Sequence, residues 1–178
     1  AKILAVKYVR FHPFEDGGMY DEVALRIEIA KVIAEIKPDV VIGPDHKLYP
    51  ESHPDHLRVG EAVSKAYFMC SNVNMMKSVG ATQIAKPTVL AYYFTGKPNR
   101  FVKITKKDFE KTKAAYACFV SQCPPPDNGK SLMLYMRLKV RLNGLRSFHI
   151  RADAFRVMNN MLIHCCGEAE DTAIRPPL

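Results

Sequence analysis

Two histidines three residues apart are the side chains of this sequence best suited to chemistry. They stand in His53-Pro54-Asp55-His56, within the loop after the apolar run 39–43. A neutral imidazole can bind zinc, and a nearby carboxylate can orient its ring by a hydrogen bond. A second imidazole aimed into the same space can act as an acid or as a donor to an oxyanion. The spacing fits a fragment of a metal site and, equally, a surface loop with histidines.

The elements around this loop indicate an α/β fold. Apolar residues at helical spacing predict a helix over 21–37, which Pro38 ends. The β-branched run 39–43 is typical of a parallel strand covered on both faces. A further helix is predicted over 55–70, with Pro54 at its first position. Ligands of open α/β sheets bind beyond the carboxyl ends of the strands, so the loop 44–56 has the position of a site.

The remaining patterns are less directly tied to that loop. Before the loop, they predict a strand or strand-turn segment over 3–11 and a turn at 15–18. After it, they predict a loop or irregular helix over 71–86, strands over 88–94 and 101–104, and a basic helix over 105–122 with Thr105 as its N-cap. The last part is predicted to have a break at 124–129, a helix over 131–143 ended by Gly144, a strand or strand-to-helix segment over 148–155 and a loose tail from Gly167.

Size and composition predict one soluble domain over residues 1–178 in the cytoplasm. The 178 residues are 48% hydrophobic and 25% charged, an ordinary globular composition. No apolar run approaches the ~20 residues that span a bilayer, and no signal-peptide pattern opens the sequence. The odd number of cysteines favours free thiols. A thiolate metal site is the disfavoured alternative; its four residues would be Cys118, Cys123, Cys165 and Cys166.

Positive charge is concentrated in one part of the chain. Residues 97–156 hold 14 Lys and Arg against four Asp and Glu, within an overall net charge of +8. These cations alternate with apolar residues at helical spacing, and no nucleic-acid module is recognisable. A solvated basic face is therefore favoured over a nucleic-acid or other anion-binding surface.

Several stretches, in order, resemble the PIG-L/LmbE family of zinc-dependent N-deacetylases, which act on N-acetylglucosamine-type groups. The resemblance is strongest in Lys37-Pro38-Asp39-Val40-Val41-Ile42, His53-Pro54-Asp55-His56 and Val59-Gly60-Glu61-Ala62-Val63. Weaker similarities are Phe14-Glu15-Asp16-Gly17 to a "DG" turn, Phe101-Val102-Lys103-Ile104-Thr105 to "vDIT", Ser121-Gln122 to the end of "HKSQ" and Ala152-Asp153-Ala154-Phe155-Arg156 to "AEAFR".

The resemblance implies a Rossmann-like, three-layer fold with a mostly parallel sheet. It implies that His56 binds zinc, that His53 faces the substrate carbonyl or its oxyanion, and that Asp55 orients a zinc ligand without binding the metal itself. The implied reaction is hydrolysis of an amino-sugar N-acetyl group, in which zinc polarises the carbonyl and lowers the pKa of a bound water toward about 7. A small amino sugar is the implied partner, nucleic acid is disfavoured, and a homo-oligomer is left open.

The sequence departs from the family pattern at three positions and in one segment. The family's Asp, His and Glu are replaced by Lys103, Phe119 and Asp153. The family's opening "AHPDDE", which holds the general base and two zinc ligands, has no clear counterpart. The segment from His12, with Glu15 as carboxylate ligand, is a disfavoured substitute. The chain is therefore expected to correspond to the middle and C-terminal part of the family.

Other residues carry less weight. Asp45 and His46 lie in the same loop, where a role in lining the pocket is the disfavoured alternative to loop filler. Asp153 and Arg156 either reach the edge of the site or form a structural ion pair. The alternative to an enzyme is a non-catalytic fragment, or a binding or assembly protein of the same fold.

Overall fold

The computed structural model describes residues 1–49 and 51–159. Its helices are α1 (Glu22–Ile36), α2 (Pro54–Met69), α3 (Val73–Ser78), α4 (Lys106–Tyr116) and α5 (Lys130–Arg146). Its strands are β1 (Val40–Pro44), β2 (Val89–Tyr93), β3 (Arg100–Lys103) and β4 (Ala152–Asn159), in the sheet order β1-β2-β4-β3. The α/β class predicted from the sequence is confirmed.

The sheet combines parallel and antiparallel pairs. Strand β1 runs parallel to β2, so Pro44 and Tyr93 lie side by side where the two strands end. Strand β4 runs antiparallel to β2, with Arg156 opposite Tyr92. The chain that leaves β1 and the side chain of Arg156 are thereby brought to the same edge of the sheet.

Helices α1 and α2 cover one face of β1 and β2. Small residues of both helices, Ala30 and Ala66 among them, pack in the core with Val41 and Leu90. The opposite face is open at β1, where 46% of Val40 and 56% of Ile42 are exposed. The sequence-based expectation of a strand covered on both faces is therefore wrong, because residues of opposite parity in a strand point to opposite faces.

The described chain divides into two compact units. One comprises Ala1–His12 and Phe101–Ala154, and the other comprises Pro13–Arg100 and the chain from Phe155 onward. The single domain suggested by the sequence stays a prediction. Every residue of the loop 44–56 belongs to the second unit, together with α1, α2, β1 and β2.

The strand or strand-turn segment predicted over residues 3–11 contains no strand, so that prediction is wrong. The described backbone there has one 3-10 turn, Lys2–Leu4, and residues 1–11 are all exposed, with 91% of Phe11 accessible. An alternating apolar pattern favours a strand only where a neighbouring strand supplies hydrogen bonds.

Two helix ends in the first unit differ from the predictions. Thr105 caps α4 as expected, through a capping box with Asp108, but α4 ends at Tyr116 instead of continuing to 122. Helix α5 continues past Gly144 to Arg146. A Cβ on Gly144 would lie 2.6 Å from the carbonyl oxygen of His149. Glycine is needed there for close approach of the following chain, and it does not end the helix.

The described cysteines are free thiols, as expected for Cys70, Cys118 and Cys123. Burial raises the pKa of Cys70 to about 11. Cys165, Cys166 and the tail from Gly167 lie outside the described residues.

Among the helices of the described chain, none combines the length and apolar character that a membrane crossing needs.

Candidate active site

His53 begins helix α2 as its N-cap. Its Nδ1 accepts a hydrogen bond from the backbone N–H of Asp55 at 3.3 Å, and Pro54 occupies the first helical turn, as predicted. A neutral imidazole has one nitrogen lone pair and one N–H. Because Nδ1 of His53 uses the lone pair, the proton of the neutral ring is on Nε2. His53 therefore presents a hydrogen-bond donor, and half of its side chain is exposed.

His56 has the opposite arrangement of its ring nitrogens. Its Nδ1 lies 2.8 Å from Oε2 of Glu51. An ionised carboxylate only accepts hydrogen bonds, so Nδ1 of His56 donates and the lone pair of the neutral ring is on Nε2. Oε1 of the same carboxylate accepts from the backbone N–H groups of Ser52 and His53. The hydrogen bond with His56 is the main cause that lowers the pKa of Glu51 to about 2.

The two imidazoles lie against each other. Their ring centroids are 4.7 Å apart with 24° between the planes, and Phe94 lies 5.9 Å from the His56 ring. A ring that presents a donor and a ring that presents a lone pair are thus held next to each other. This combination of a donor and a lone pair is what hydrolysis of a carbonyl compound at a metal needs.

Asp55 ties the start of α2 to the preceding turn. Its Oδ2 accepts a hydrogen bond of 2.7 Å from the backbone N–H of Gly17, which lowers the pKa of Asp55 to about 2. Its Oδ1 is buried without a hydrogen-bond partner among the described residues. Burial, followed by the neighbouring carboxylate, raises the pKa of Tyr20 to about 12.

The turn at 15–18 is confirmed, and its glycines have a structural reason. Gly17 and Gly18 have φ angles of +92° and +75°, in the region that glycine favours. A Cβ on Gly18 would also lie 2.9 Å from Cβ of Pro54, so a side chain would collide with the start of α2. Arg58 donates to the carbonyl oxygen of Gly18 and closes the contact between turn and helix.

A second group of possible metal donors is present at the same place. One donor atom from each of Asp16, His53 and Asp55 lies within 4.8 Å of the others, and His56 is not part of this group. Metal binding by His53 would take the lone pair that now accepts from Asp55 N–H. The lone pair of His56 meets no such competition, so the donor chemistry fits a metal at His56 better than at His53.

Asp45 and Arg156 form a buried ion pair in the second unit. Nε of Arg156 donates to Oδ2 of Asp45 at 2.9 Å, Nη2 donates to Oδ1, and the side chains are 12% and 3% exposed. Burial would raise the pKa of Asp45, but the hydrogen bonds from Arg156 and Thr95 outweigh it and lower that pKa. The Arg156 guanidinium lies over the Tyr92 ring at 4.4 Å.

The structure thus separates the weaker candidates. Asp45 is a buried structural residue and not loop filler, and Arg156 is its ion-pair partner. Asp153 is exposed and accepts a hydrogen bond from the backbone N–H of Ala154. Burial lowers the pKa of His46, whose ring packs edge-on against Tyr92 at 5.6 Å.

Glu51 and Asp16 are the site residues that sequence reasoning did not single out. Glu51 precedes His56 by five residues, which is not a helical spacing. The two side chains meet because the chain turns into α2 between them. Asp16 lies in the predicted turn, whose Glu-Asp-Gly-Gly composition was the available signal. Its closeness to α2 depends on contacts between residues 38 positions apart.

Comparison with known proteins finds a matching family. Residues 1–67 match the PIG-L family, described as GlcNAc-PI de-N-acetylase. The diacetylchitobiose deacetylase of Thermococcus kodakarensis is 31% identical over 170 residues, which are 93% of this chain and 62% of that protein.

Solved structures agree with this. The N,N'-diacetylchitobiose deacetylase from Pyrococcus horikoshii, complexed with its inhibitor MPG, is similar with a TM-score of 0.82 and 26% identity, over 93% of this chain and 62% of that one. The conserved protein TT1542 from Thermus thermophilus shares the fold, with a TM-score of 0.68 and 23% identity over 86% of this chain and 67% of that one.

The chain spans 62% of the length of each of the two deacetylases. The similarity nevertheless covers almost all of this sequence, including the loop 44–56 and the start of α2. The resemblance found in the sequence is confirmed: residues 1–67 match the PIG-L family, and 93% of the chain is similar to two diacetylchitobiose deacetylases.

Proposed function

We propose that this chain takes part in zinc-dependent removal of the N-acetyl group from an N-acetylglucosamine-type amino sugar. The observation that carries the proposal is that the two Nδ1 atoms have opposite hydrogen-bonding roles. Nδ1 of His53 accepts from Asp55 N–H, whereas Nδ1 of His56 donates to Glu51. Support also comes from the two similar proteins, which are diacetylchitobiose deacetylases.

His56 is the proposed zinc ligand, through Nε2. Glu51 holds its Nδ1–H at 2.8 Å, which fixes the ring orientation and leaves the lone pair on Nε2, the usual arrangement at zinc-bound histidines. When bound, zinc would supply a Lewis acid for the amide carbonyl and a nucleophilic water at neutral pH. The chain's own contribution is a ligand whose tautomer is set before the metal arrives.

His53 is the proposed donor to the substrate. With Nδ1 engaged by Asp55 N–H, its Nε2–H can donate to the acetamide carbonyl oxygen and continue to donate as negative charge develops on that oxygen. The stacked position beside His56 keeps this donor close to the metal ligand. Asp55 is not a base in this proposal. Its carboxylate holds the start of α2 to the turn by accepting from Gly17 N–H.

A cytoplasmic location is part of the proposal. The described cysteines are free thiols, which is usual in a reducing compartment. Zinc as the metal and an amino sugar as the substrate are likewise proposals, as is assembly into a homo-oligomer.

Acetate release tests the proposal. The purified chain is incubated with N,N'-diacetylchitobiose or N-acetylglucosamine, with zinc and after chelation. We expect zinc-dependent acetate release that His56→Ala abolishes. His149→Ala, which removes an exposed histidine of the other unit, serves as the matched control and retains activity.

The competing metal arrangement is tested by measuring zinc binding to the purified variants. Asp16→Asn removes a donor of the group formed with His53 and Asp55. We expect this variant to keep the zinc affinity of the parent chain. A loss of zinc as complete as in His56→Ala would move the metal to that group. No acetate release from the parent chain with zinc would contradict deacetylase activity of this polypeptide.

A further inference from the structure

Helix α5 carries apolar side chains on its exposed side as well as on its buried side. The exposed ones, named the outer stripe, are between 52% and 75% accessible: Leu134, Tyr135, Leu138, Leu142 and Leu145. On the opposite side of the helix, Val140 is buried at 4% accessibility. A surface helix normally has one apolar side, which faces the core, so a second apolar side indicates a second packing surface.

Four members of the outer stripe have the spacing of a coiled-coil seam. Tyr135, Leu138, Leu142 and Leu145 follow one another at intervals of three, four and three residues. At this spacing, the side chains of one helix fit between those of a second helix that lies along it. The spacing therefore favours another helix as the occupant of the outer stripe.

Cations border the outer stripe on both sides. Lys130, Arg137 and Arg141 have the spacing that places them along one side, and Lys139 and Arg146 lie along the other. Helix α5 contains no Asp or Glu. Within the described part of the chain, Arg137 and Arg141 form no ion pair. Two copies of α5 in contact would bring like charges together, so a second copy of this chain fits the outer stripe poorly.

A cavity of about 300 Å³ between α4 and α5 adjoins the N-terminal end of the outer stripe. Leu134 lines it together with three cations, Lys113, Lys130 and Arg137, and its lining includes no carboxylate. The Lys113 ammonium lies 4.0 Å from the Glu110 carboxylate, so Lys130 and Arg137 supply the charge that remains. A recess lined by cations favours an acidic side chain as its occupant.

We infer that the outer stripe docks an amphipathic helix of another protein, whose own apolar stripe is bordered by Asp and Glu. Leu138 and Leu142 form the centre of the contact, and Arg137 and Arg141 pair with carboxylates of the partner. The cavity beside Leu134 receives one of these carboxylates. The inference does not depend on the deacetylase proposal, since none of its residues belongs to the loop 44–56 or to α2.

Fluorescence anisotropy of labelled synthetic helices tests the docking on the full chain. The acidic peptide has Leu at the a and d positions of its heptads and Glu at e and g, and the basic peptide has Lys in place of Glu. We expect the acidic peptide to bind at least about tenfold more tightly, because opposite charges attract across the contact. Equal affinity for the two peptides would overturn the inference.

Charge reversal locates the contact. Arg141→Glu should weaken binding of the acidic peptide about tenfold and strengthen binding of the basic peptide. Lys111→Glu is the matched control, because it reverses an equal charge at an exposed position of α4, and it should leave both affinities unchanged. The same loss in both variants would show attraction to general surface charge and would overturn the inference.

Leu142→Gln removes the apolar centre of the contact. It should abolish binding of the acidic peptide and keep the urea midpoint of the parent chain, because 61% of Leu142 is exposed and glutamine favours a helix about as well as leucine. Val140→Gln, at a buried position of the same helix, should lower that midpoint. An equal fall in Leu142→Gln would show that a segment of this chain already covers the outer stripe, and would overturn the inference.

Two other occupants are tested with the same variant. Sedimentation with vesicles of phosphatidylcholine and phosphatidylserine measures lipid binding, and sedimentation velocity measures self-association. We expect neither to depend on Leu142. Vesicle binding or self-association of the parent chain that Leu142→Gln abolishes would assign the outer stripe to lipid or to a second copy, and would overturn the inference.

Discussion

Oε2 of Glu51 lies 2.8 Å from Nδ1 of His56, and this contact decides which nitrogen of His56 is open to a metal. Replacing Glu51 by alanine removes the acceptor and lets the ring exchange between its two neutral tautomers. Long-range ¹H–¹⁵N spectra should show a fall in the population with the proton on Nδ1. Zinc affinity should fall by about 10- to 100-fold.

Glu61→Ala is the control for this prediction. Glu61 is on the next turns of the same helix and pairs with the exposed Lys65, so the His56 spectrum should not change. If His56 keeps its tautomer in Glu51→Ala, then Glu51 does not orient the ring.

His53 has two separable roles, as helix cap and as proposed donor. Asparagine is a good N-cap, so His53→Asn should retain stability while losing Nε2–H, the proposed donor to the substrate. His53→Ala should lose about 1 kcal/mol of unfolding free energy as well. Urea unfolding and acetate release measure the two effects independently. Full activity of His53→Asn would exclude His53 as the oxyanion donor.

The Asp55–Gly17 contact predicts a specific acid dependence of stability. The pKa of Asp55 is lowered from 3.8 to about 2 because its carboxylate accepts from Gly17 N–H. A lowered pKa means that the stabilisation is complete above the unfolded value near 3.8 and is lost as the pH falls through about 2.

Asp55→Asn lacks this titration. The difference in unfolding free energy between the parent chain and Asp55→Asn should therefore shrink between pH 5 and about pH 2. Urea unfolding at several pH values measures it, with the exposed Glu110→Gln as control. A difference that stays constant over this range would contradict the prediction.

The buried pair of Asp45 and Arg156 should be sensitive to loss of one partner. Arg156→Met leaves the Asp45 carboxylate buried and unpaired, which should lower the unfolding free energy by about 3–5 kcal/mol. Adding Asp45→Asn to Arg156→Met should recover part of the lost unfolding free energy. By comparison, Lys65→Met breaks an exposed ion pair and should cost less than about 1 kcal/mol. Similar losses in the two single variants would refute the role of burial.

Gly60 in α2 allows that helix to approach the end of β1. A Cβ at this position would overlap the carbonyl oxygen of Pro44 and lie 3.0 Å from Cβ of His46. Alanine favours a helix over glycine by about 1 kcal/mol, but overpacking costs about 1–3 kcal/mol. Gly60→Ala should therefore lower the thermal midpoint, whereas Glu61→Ala should leave it nearly unchanged. A stabilised Gly60→Ala would show that the helix shifts freely.

The elements that frame the site were predictable because their signals are local. Asp21 caps α1, Pro38 follows its end, and Pro54 starts α2, so proline and polar caps bracket the helical periodicity. The segment 3–11 has an equally clear local pattern, but strand formation depends on a partner elsewhere in the chain.

The site itself was predictable in its residue types more than in its contacts. His53 and His56 were identifiable from the motif, but their opposite tautomers depend on a backbone N–H and on a carboxylate that the turn into α2 brings into reach. Arg156 was recognisable only as a family-like residue. The antiparallel register that places it beside Tyr92 joins distant parts of the chain.

That distance has a consequence for biosynthesis. Asp45 and Arg156 are 111 positions apart, and the chain emerges from the ribosome N-terminus first. Helix α2 can form early from neighbouring residues, whereas the ion pair of Asp45 and Arg156 must wait for β4. A nascent chain stopped before β4 would therefore have Asp45 without its arginine partner.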